Sequence, residues 1–237
     1  MNLDYSKKII VSVESDDIDQ ARKLISEFAQ YSEYVKFGLV LLQKYTPETL
    51  CNLANEFGLN VFLDVKLHDI ENTVTNAYLN IVNSGAKMIN LHASAGAQTI
   101  KNVSKHKGST KLIAVGILTN IDDNECNFIY GDTVLNTQSR LLNMAVENGA
   151  DGIVCSGSDL KYLNKFDWFD KVIKIVPGIR PDFSSNNDQK RIMTPFEALK
   201  NGADYLVIGR PITANKDLSP KEAYIRIVEQ IINKMEE

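Results

Sequence analysis

The chain has 237 residues, 44% of them hydrophobic, which is enough for one large core in a single α/β domain. A net charge of −4 with scattered basic residues argues against a general nucleic-acid binder, and no apolar run reaches the ~20 residues of a membrane span. Three cysteines without a CxxC pair, and an N-terminus without the apolar core of a signal peptide, predict a cytoplasmic protein.

Short β-branched runs alternate with longer amphipathic stretches along the chain, as in α/β proteins. The strands are predicted at 8–13, 34–37, 60–66, 88–91, 112–115, 152–155, 172–176 and 205–208. Helical segments follow them, among others at 17–30, 46–57 and 70–84, and a helix over 221–234 closes the chain. Eight strand–helix units at this length predict a (β/α)8 TIM barrel, a single domain over residues 1–237.

One connection differs from the others in composition. It follows the seventh strand and is polar and rich in Ser, Asn and Asp. A long polar loop in a compact barrel is often a mobile lid. The sequence therefore predicts a lid at about 180–191.

Charged residues collect where the predicted strands end. Asp64 and Lys66 lie two apart in a strand, so both project to the same face, although the preceding residues are apolar. Charges in such surroundings are unfavourable unless they are paired. Taken singly, they could be a structural ion pair, and Asp69 could cap the next helix. Because TIM barrels carry their chemistry at the C-terminal ends of the strands, the set that includes Lys36 predicts an active site there.

Glycines and arginines follow the last two predicted strands. Gly209 and Arg210 come after the eighth strand, and Gly178 and Arg180 come after the seventh. Glycine lets a backbone N–H approach an anion closely, and the arginine fork suits a phosphate. A plain turn with surface arginines is the alternative, but barrels commonly bind phosphate at these two loops. The pattern favours a small phosphorylated substrate.

Several motifs together resemble the orotidine 5′-phosphate decarboxylase family. The most distinctive is Asp64-x-Lys66-x-x-Asp69-Ile70, whose Asp-x-Lys-x-x-Asp core is also shared with sugar-phosphate relatives. The similarity runs along most of the chain. The further motifs are Val35-Lys36-Phe37-Gly38, Ile89-Asn90-Leu91-His92-Ala93, Leu118-Thr119, Val176-Pro177-Gly178-Ile179-Arg180 and Val207-Ile208-Gly209-Arg210-Pro211-Ile212.

The resemblance implies a catalytic array of four residues. Lys66 would be the catalytic cation and proton donor, with Lys36 and Asp64 in the same array. Asp69 would reach across a homodimer interface and complete the partner's site. The implied activity is the conversion of orotidine 5′-monophosphate to UMP and CO2 in pyrimidine biosynthesis, with no nucleic acid and no membrane as partners.

The resemblance also implies the contacts of the nucleotide. Lys36 belongs to this set as well as to the catalytic one, and Ile70 and Thr73 would lie beside Asp69. The substrate-binding residues would be Lys36, Ile70, Thr73 and Thr119 along the nucleotide, and Arg180, Gln189, Gly209 and Arg210 around the phosphate and the closed lid.

The chemistry of such a reaction explains why a charged array is needed. Loss of CO2 from C6 of the pyrimidine leaves a carbanion with no adjacent carbonyl to take up its charge. The chain has neither a GxGxxG fingerprint nor a P-loop, so no cofactor and no metal are expected. Fixed charges in a water-poor pocket can stabilise the carbanion instead. Flanking carboxylates favour the charged form of Lys66, which would stabilise the carbanion and then protonate it.

Two alternatives remain open. A Mg²⁺-dependent sugar-phosphate decarboxylase of the same superfamily would use the array with a metal and an enediolate intermediate. A non-catalytic nucleotide-binding paralogue is the second alternative. The sequence favours the nucleotide decarboxylase, because Lys66-Leu67-His68-Asp69-Ile70 and Gln189 look more like that enzyme.

Two positions depart from the family pattern. The family's first strand usually ends in an aspartate that contacts the ribose, and ungapped alignment places Val13 there, with Glu14 next. Either a bulge brings Glu14 to the sugar, or the contact is missing. Glu71 stands where the family usually has Pro or Gly, and we expect this difference to be tolerated.

Overall fold

The computed structural model describes residues 3–184 and 193–236, and its strands form a closed parallel barrel. Each strand pairs with the next along the chain, and the last pairs with the first. The predicted TIM barrel is therefore confirmed. The strands are β1 (Ile9–Val13), β2 (Tyr34–Phe37), β3 (Asn60–Leu67), β4 (Met88–His92), β5 (Lys111–Val115), β6 (Gly152–Val154), β7 (Ile173–Val176) and β8 (Tyr205–Ile208).

Helices follow the strands on the outside of the barrel. Among the described residues, no helix combines the length and the apolarity that crossing a membrane requires. The helices are α1 (Leu3–Ser6), α2 (Ile18–Phe28), α3 (Leu39–Leu42), α4 (Pro47–Asn55), α5 (Glu71–Val82), α6 (Ala97–Ser104), α7 (Asp123–Tyr130), α8 (Val134–Glu147), α9 (Gly157–Leu163), α10 (Pro195–Lys200), α11 (Arg210–Thr213) and α12 (Pro220–Glu236).

The predicted boundaries agree closely with the observed ones. Each strand end lies within one residue of its prediction, and the predicted helix ends lie within two. The predicted starts of α2, α4 and α5 are one residue early because the prediction counted the capping residue. Asp17 precedes α2 and accepts hydrogen bonds from the N–H groups of Asp19 and Gln20, and Thr46 precedes α4 in the same way. These caps have extended backbones, so they end the preceding loop rather than begin the helix.

Apolar side chains fill two layers. Inside the barrel, alternate strand residues meet in a cluster that includes Ile10, Phe62 and Ile175. The residues between them, such as Val11 and Leu63, pack outward against the helices in a larger cluster. The two-residue period of a strand thus supplies both layers from the same segments.

Glycine turns lead into three of the strands at their N-terminal end, which is called the lower end of the barrel here. Gly85, Gly149 and Gly202 each follow a helix and come shortly before the next strand, with φ angles of 97°, 101° and 98°. Side chains other than glycine rarely adopt this conformation, so the repeated Asn/Ser-Gly-Ala pattern of the sequence has a structural cause. The glycines at the lower end therefore stabilise the turns of the fold.

Tyr224 ties the last helix to the first residues of the chain. Its side chain is fully buried, and its hydroxyl donates to the carbonyl of Ser6 at 2.7 Å and lies 3.3 Å from the carbonyl of Tyr31. Tyr78 on α5 is equally buried, but its hydroxyl has no hydrogen-bond partner in the part of the chain that the structure describes. The two tyrosines are equally buried and differ in whether the hydroxyl has a hydrogen-bond partner, so each serves as a control for the other.

We expect Tyr224→Phe to lower the free energy of unfolding by about 1–2 kcal/mol, because the buried carbonyl of Ser6 loses its donor. The matched variant Tyr78→Phe should leave stability unchanged or raise it, because it removes a hydroxyl without a partner. Urea unfolding of both variants measures the difference. Equal losses in the two variants would contradict this account.

Candidate active site

A cavity of about 360 Å³ opens at the C-terminal end of the barrel. Residues from the ends of both halves of the barrel line it, as TIM-barrel geometry predicts. Seven of the residues predicted from the sequence are brought together here: Lys36, Asp64, Lys66, Thr119, Arg180, Gly209 and Arg210.

Asp64 is the centre of the charged group in this cavity. Its Oδ2 accepts a hydrogen bond from Lys36 Nζ at 2.8 Å, and its Oδ1 accepts one from Lys66 Nζ at 2.6 Å. Asn90 Nδ2 donates to the same Oδ1 at 2.6 Å. Both oxygens of one carboxylate are thus occupied by donors from three neighbouring strands. The side chains of Asp64 and Lys36 are buried, whereas that of Lys66 is partly open to the cavity.

The backbone at Lys66 departs from a regular strand. Its φ is 50°, which makes it the non-glycine residue with a left-handed backbone among those described. The pairing of β3 with β4 shifts between Leu63 and Leu67. Sequence reasoning expected simple alternation here, and the predicted contact between Asp64 and Lys66 forms through a bulge instead. Bulges commonly redirect side chains next to active sites.

The electrostatics of the group keep Asp64 ionised. Burial alone would raise the pKa of Asp64, but the ammonium groups of Lys36 and Lys66 outweigh burial and hold that pKa well below its usual range. Close opposite charges and hydrogen bonds to the charged form both act in this direction. Asp64 is therefore a permanent negative charge at any physiological pH.

His92 lies at the end of β4, next to the charged group. Its pKa is lowered, first by burial and then by the nearby His68 and Lys66. The rings of His68 and His92 are 5.3 Å apart, and neither histidine lines the cavity. His92 is therefore neutral at neutral pH and adds no charge to the lysine pair.

The opposite wall of the cavity carries glycines and arginines. Gly178 and Arg180 follow β7, while Gly209 and Arg210 follow β8, and all four line the cavity. Arg180 is buried, and its Nη1 donates to the carbonyl of Ile179 at 2.9 Å. Gln189 and residues 185–191 of the predicted lid lie outside the described residues. This wall is suited to an anion.

Three predicted residues lie apart from the cavity of their own chain. Asp69, Ile70 and Thr73 are exposed, and 73% of the surface of Ile70 is accessible to solvent. Asp69 Oδ1 accepts from the N–H of Ile70 at 2.6 Å, just before α5. The chain itself therefore does not bring Asp69 to Lys66.

A second, smaller cavity lies beside the first. It measures about 230 Å³ and shares Lys36, Asp64 and Lys66 with the main cavity. The exposed Leu39 and Val40 form its other wall. The charged group is thus accessible from two sides.

Sequence reasoning missed two cavity residues with hydrogen-bonding side chains, Ser12 and Asn90, and left a third, Glu14, undecided. Glu14 lines both cavities, although β1 pairs with β2 in regular register through Ser12 and Val13. No bulge is therefore needed to bring Glu14 to the site. Val13 is fully buried in the outer hydrophobic cluster and lines only the second cavity. The hydroxyl of Ser12 is buried without a hydrogen-bond partner among the described residues. A polar residue inside a predicted buried strand was the available signal for both Ser12 and Asn90.

The departure at Glu71 is accommodated. Glu71 is the first residue of α5, and its carboxylate accepts a hydrogen bond from Asn102 Nδ2. An acidic residue in the first turn also interacts favourably with the helix dipole. Glu71 therefore fits the first turn of α5.

Comparison with known proteins identifies similar chains over almost the whole length. A family model described as "Orotidine 5'-phosphate decarboxylase / HUMPS family" matches residues 7–227. A relative from Aquifex aeolicus (strain VF5), named orotidine 5′-phosphate decarboxylase, is 37% identical over 205 residues, which cover 84% of this chain and 88% of the relative. A relative of the same name from Nautilia profundicola is 34% identical and covers 97% of this chain and 99% of its own.

Solved structures agree with this comparison. The crystal structure of orotidine 5′-phosphate decarboxylase from Lactobacillus acidophilus superposes with a TM-score of 0.79 at 30% identity. The alignment covers 95% of this chain and 99% of that one.

We expect Asp64→Asn to lower the free energy of unfolding by about 3 kcal/mol at neutral pH, because two ammonium groups lose their shared carboxylate. The folded-state pKa of Asp64 is depressed, so its contribution is complete above the unfolded value of about 3.9 and is lost as the pH falls below it. Urea unfolding of wild type and variant should show a constant difference between about pH 5 and 8 that shrinks below about pH 4. A difference that stays constant in acid would contradict a stabilising charge.

Proposed function

The chain belongs to the orotidine 5′-phosphate decarboxylase / HUMPS family, and on that basis we propose that it decarboxylates orotidine 5′-monophosphate to UMP and CO2 in pyrimidine biosynthesis. The observation that carries the proposal is the Lys66 ammonium, held 2.6 Å from the buried Asp64 at the edge of the cavity. Relatives that are 36–37% identical to this chain are named orotidine 5′-phosphate decarboxylase.

In the proposed reaction, Lys66 stabilises the negative charge that develops at C6 and then donates a proton there. Asp64 fixes the ammonium in place before the reaction begins, so no reorganisation accompanies the transition state. The permanent charge of Asp64 also lies close to where the substrate carboxylate must enter, which disfavours the bound substrate relative to the carbanion. Both effects come from the same carboxylate.

The anion-binding wall supplies the remaining interaction energy. Arg180, Gly209 and Arg210 would hold the 5′-phosphate, with Gln189 joining them from the lid at about 180–191. Contacts far from C6 lower the barrier when their energy is used to close the site and orient the base. Thr119 would contact the nucleotide, and Glu14 would replace an aspartate at the ribose.

We also propose that residues 1–237 form one barrel domain.

We propose that the site is completed by a second copy of the chain. Asp69, Ile70 and Thr73 are exposed, and the second cavity leaves Lys66 accessible from the side of the apolar Leu39 and Val40. An exposed apolar patch beside an open charged group suits a symmetric interface. Asp69 of one copy would then reach the lysine of the other.

A cytoplasmic location is part of the proposal. All three cysteines of the chain, Cys51, Cys126 and Cys155, are buried and form no disulfide bond among the described residues. Reduced thiols fit a reducing compartment. The expected setting is that of a biosynthetic enzyme.

We expect EDTA-treated wild type to remove the orotate absorbance of orotidine 5′-monophosphate, and Lys66→Ala to lower kcat about 10,000-fold or more, because both charge stabilisation and proton donation are lost. Lys174→Ala is the matched control. Lys174 is also a buried strand lysine, paired with Asp204 at 2.9 Å, but it lies at the other end of the barrel. Its loss should leave kcat within about threefold of wild type.

Other outcomes of this assay discriminate between the alternatives. Activity that disappears in EDTA would favour a Mg²⁺-dependent sugar-phosphate decarboxylase. UMP binding without turnover would favour a nucleotide-binding paralogue. An unimpaired Lys66→Ala variant would reject the proposed role of that lysine.

The shared site gives a separate prediction. Lys66→Ala and Asp69→Ala should each be nearly inactive alone, but an equal mixture after subunit exchange should recover about a quarter of the wild-type activity. Half of the dimers are then mixed, and each mixed dimer contains one intact site. Mixing without recovery, while mass spectrometry shows mixed dimers, would contradict a site shared between copies.

A further inference from the structure

We infer that Asn90 is a positioning residue for Lys66, acting through the backbone of β3 and through Asp64. The inference deepens the proposed function and rests on it, because catalysis is one of its two readouts. Asn90 lies on β4 with 1% of its surface exposed. Its amide lies between the two residues that the proposed chemistry depends on.

Both halves of the Asn90 amide are used. Oδ1 accepts a hydrogen bond from the backbone N–H of Lys66 at 2.7 Å, while Nδ2 donates to Asp64 Oδ1 at 2.6 Å. Only an uncharged group with both an acceptor and a donor can make these two contacts at once. A carboxylate has no donor, and alanine has neither group. The identity of the side chain is therefore constrained by its two partners.

The strand register explains why the backbone needs this contact. Leu63 pairs with Ile89, and the next pair joins Leu67 to Leu91. Three residues of β3, Asp64 to Lys66, thus lie opposite the single residue Asn90. Regular ladder bonds cannot serve all three, and the Asn90 side chain accepts the N–H of Lys66 in their place.

The bulge determines where the Lys66 ammonium lies. Lys66 has a left-handed backbone that non-glycine residues adopt rarely and only when their surroundings enforce it. From this backbone its Nζ reaches the same Asp64 oxygen that Asn90 holds. Without Asn90, both the strand and the carboxylate are free to relax, and the ammonium shifts. A displacement of about 1 Å in a catalytic group commonly lowers the rate about 100-fold.

Asn90→Ala should therefore lower kcat about 100-fold while KM stays within about threefold, because the phosphate-binding residues lie on the opposite wall. Asp151→Ala is the matched control, since the Asp151 carboxylate accepts the N–H of Leu112 at 2.9 Å at the other end of the barrel. Its kcat should stay close to wild type, although its stability falls. A KM effect with full kcat in Asn90→Ala would overturn the inference.

Asn90→Asp gives a sharper test, because the aspartate side chain has the same shape as that of asparagine. Its ionised form faces Asp64 without a donor, whereas its protonated form again offers one donor and one acceptor. Two carboxylates that share a site favour protonation of one of them. The kcat of Asn90→Asp relative to wild type should therefore rise as the pH falls from about 9 to about 5. A ratio that does not change with pH would overturn the inference, because a purely structural defect does not depend on this proton.

A crystal structure of Asn90→Ala, or of Asn90→Asp at high pH if the first does not fold, provides a readout without activity. Lys66 should leave the left-handed region, and its Nζ should move away from Asp64 Oδ1. An unchanged bulge would overturn the inference. Wild type that is inactive towards orotidine 5′-monophosphate would reject the proposed function, and the structures would still decide the role of Asn90.

Discussion

One buried carboxylate holds two ammonium groups, and the rest of the site depends on it. Asp64 receives Lys36 from β2, Lys66 from its own strand and Asn90 from β4. Removing charges from water is unfavourable, and the arrangement is stable only because every oxygen of the carboxylate is matched by a donor. The ends of β2, β3 and β4 must therefore meet in one register, and β3 must bulge to bring Lys66 back to Asp64.

The barrel separates this arrangement from the features that stabilise the fold. The lower end carries glycine turns at Gly85, Gly149 and Gly202 and the pair of Lys174 with Asp204. The upper end carries an unusual backbone at Lys66, a buried hydroxyl without a partner at Ser12 among the described residues, and the buried Asp64. The backbone at Lys66 and the hydroxyl of Ser12 lower stability, and Asp64 is stable there only because its donors compensate for burial. TIM barrels concentrate such features at the face where they act.

Much of this could be predicted from the sequence, because strand and helix periods are local. The strands were placed within one residue, and the proximity of Asp64 and Lys66 was expected from their spacing, although a bulge rather than simple alternation brings them together. The bulge and the role of Asn90 could not be predicted, because they depend on the register of β3 against β4. Glu14 was left undecided for a similar reason: an ungapped alignment does not say which face of a strand meets the cavity. The roles of all the predicted site residues, Asp69 and Gln189 among them, remain predictions.

The central claim is that Asp64 serves the transition state by holding Lys66, and the steady-state kinetics of Asp64→Asn with orotidine 5′-monophosphate test it most directly. A group that acts mainly in the transition state changes kcat, whereas one that binds substrate and transition state equally changes KM. The account predicts a kcat at least about 1,000-fold below wild type with a KM that is unchanged or lower. A raised KM with an intact kcat would contradict it, because Asp64 would then only help to bind the substrate.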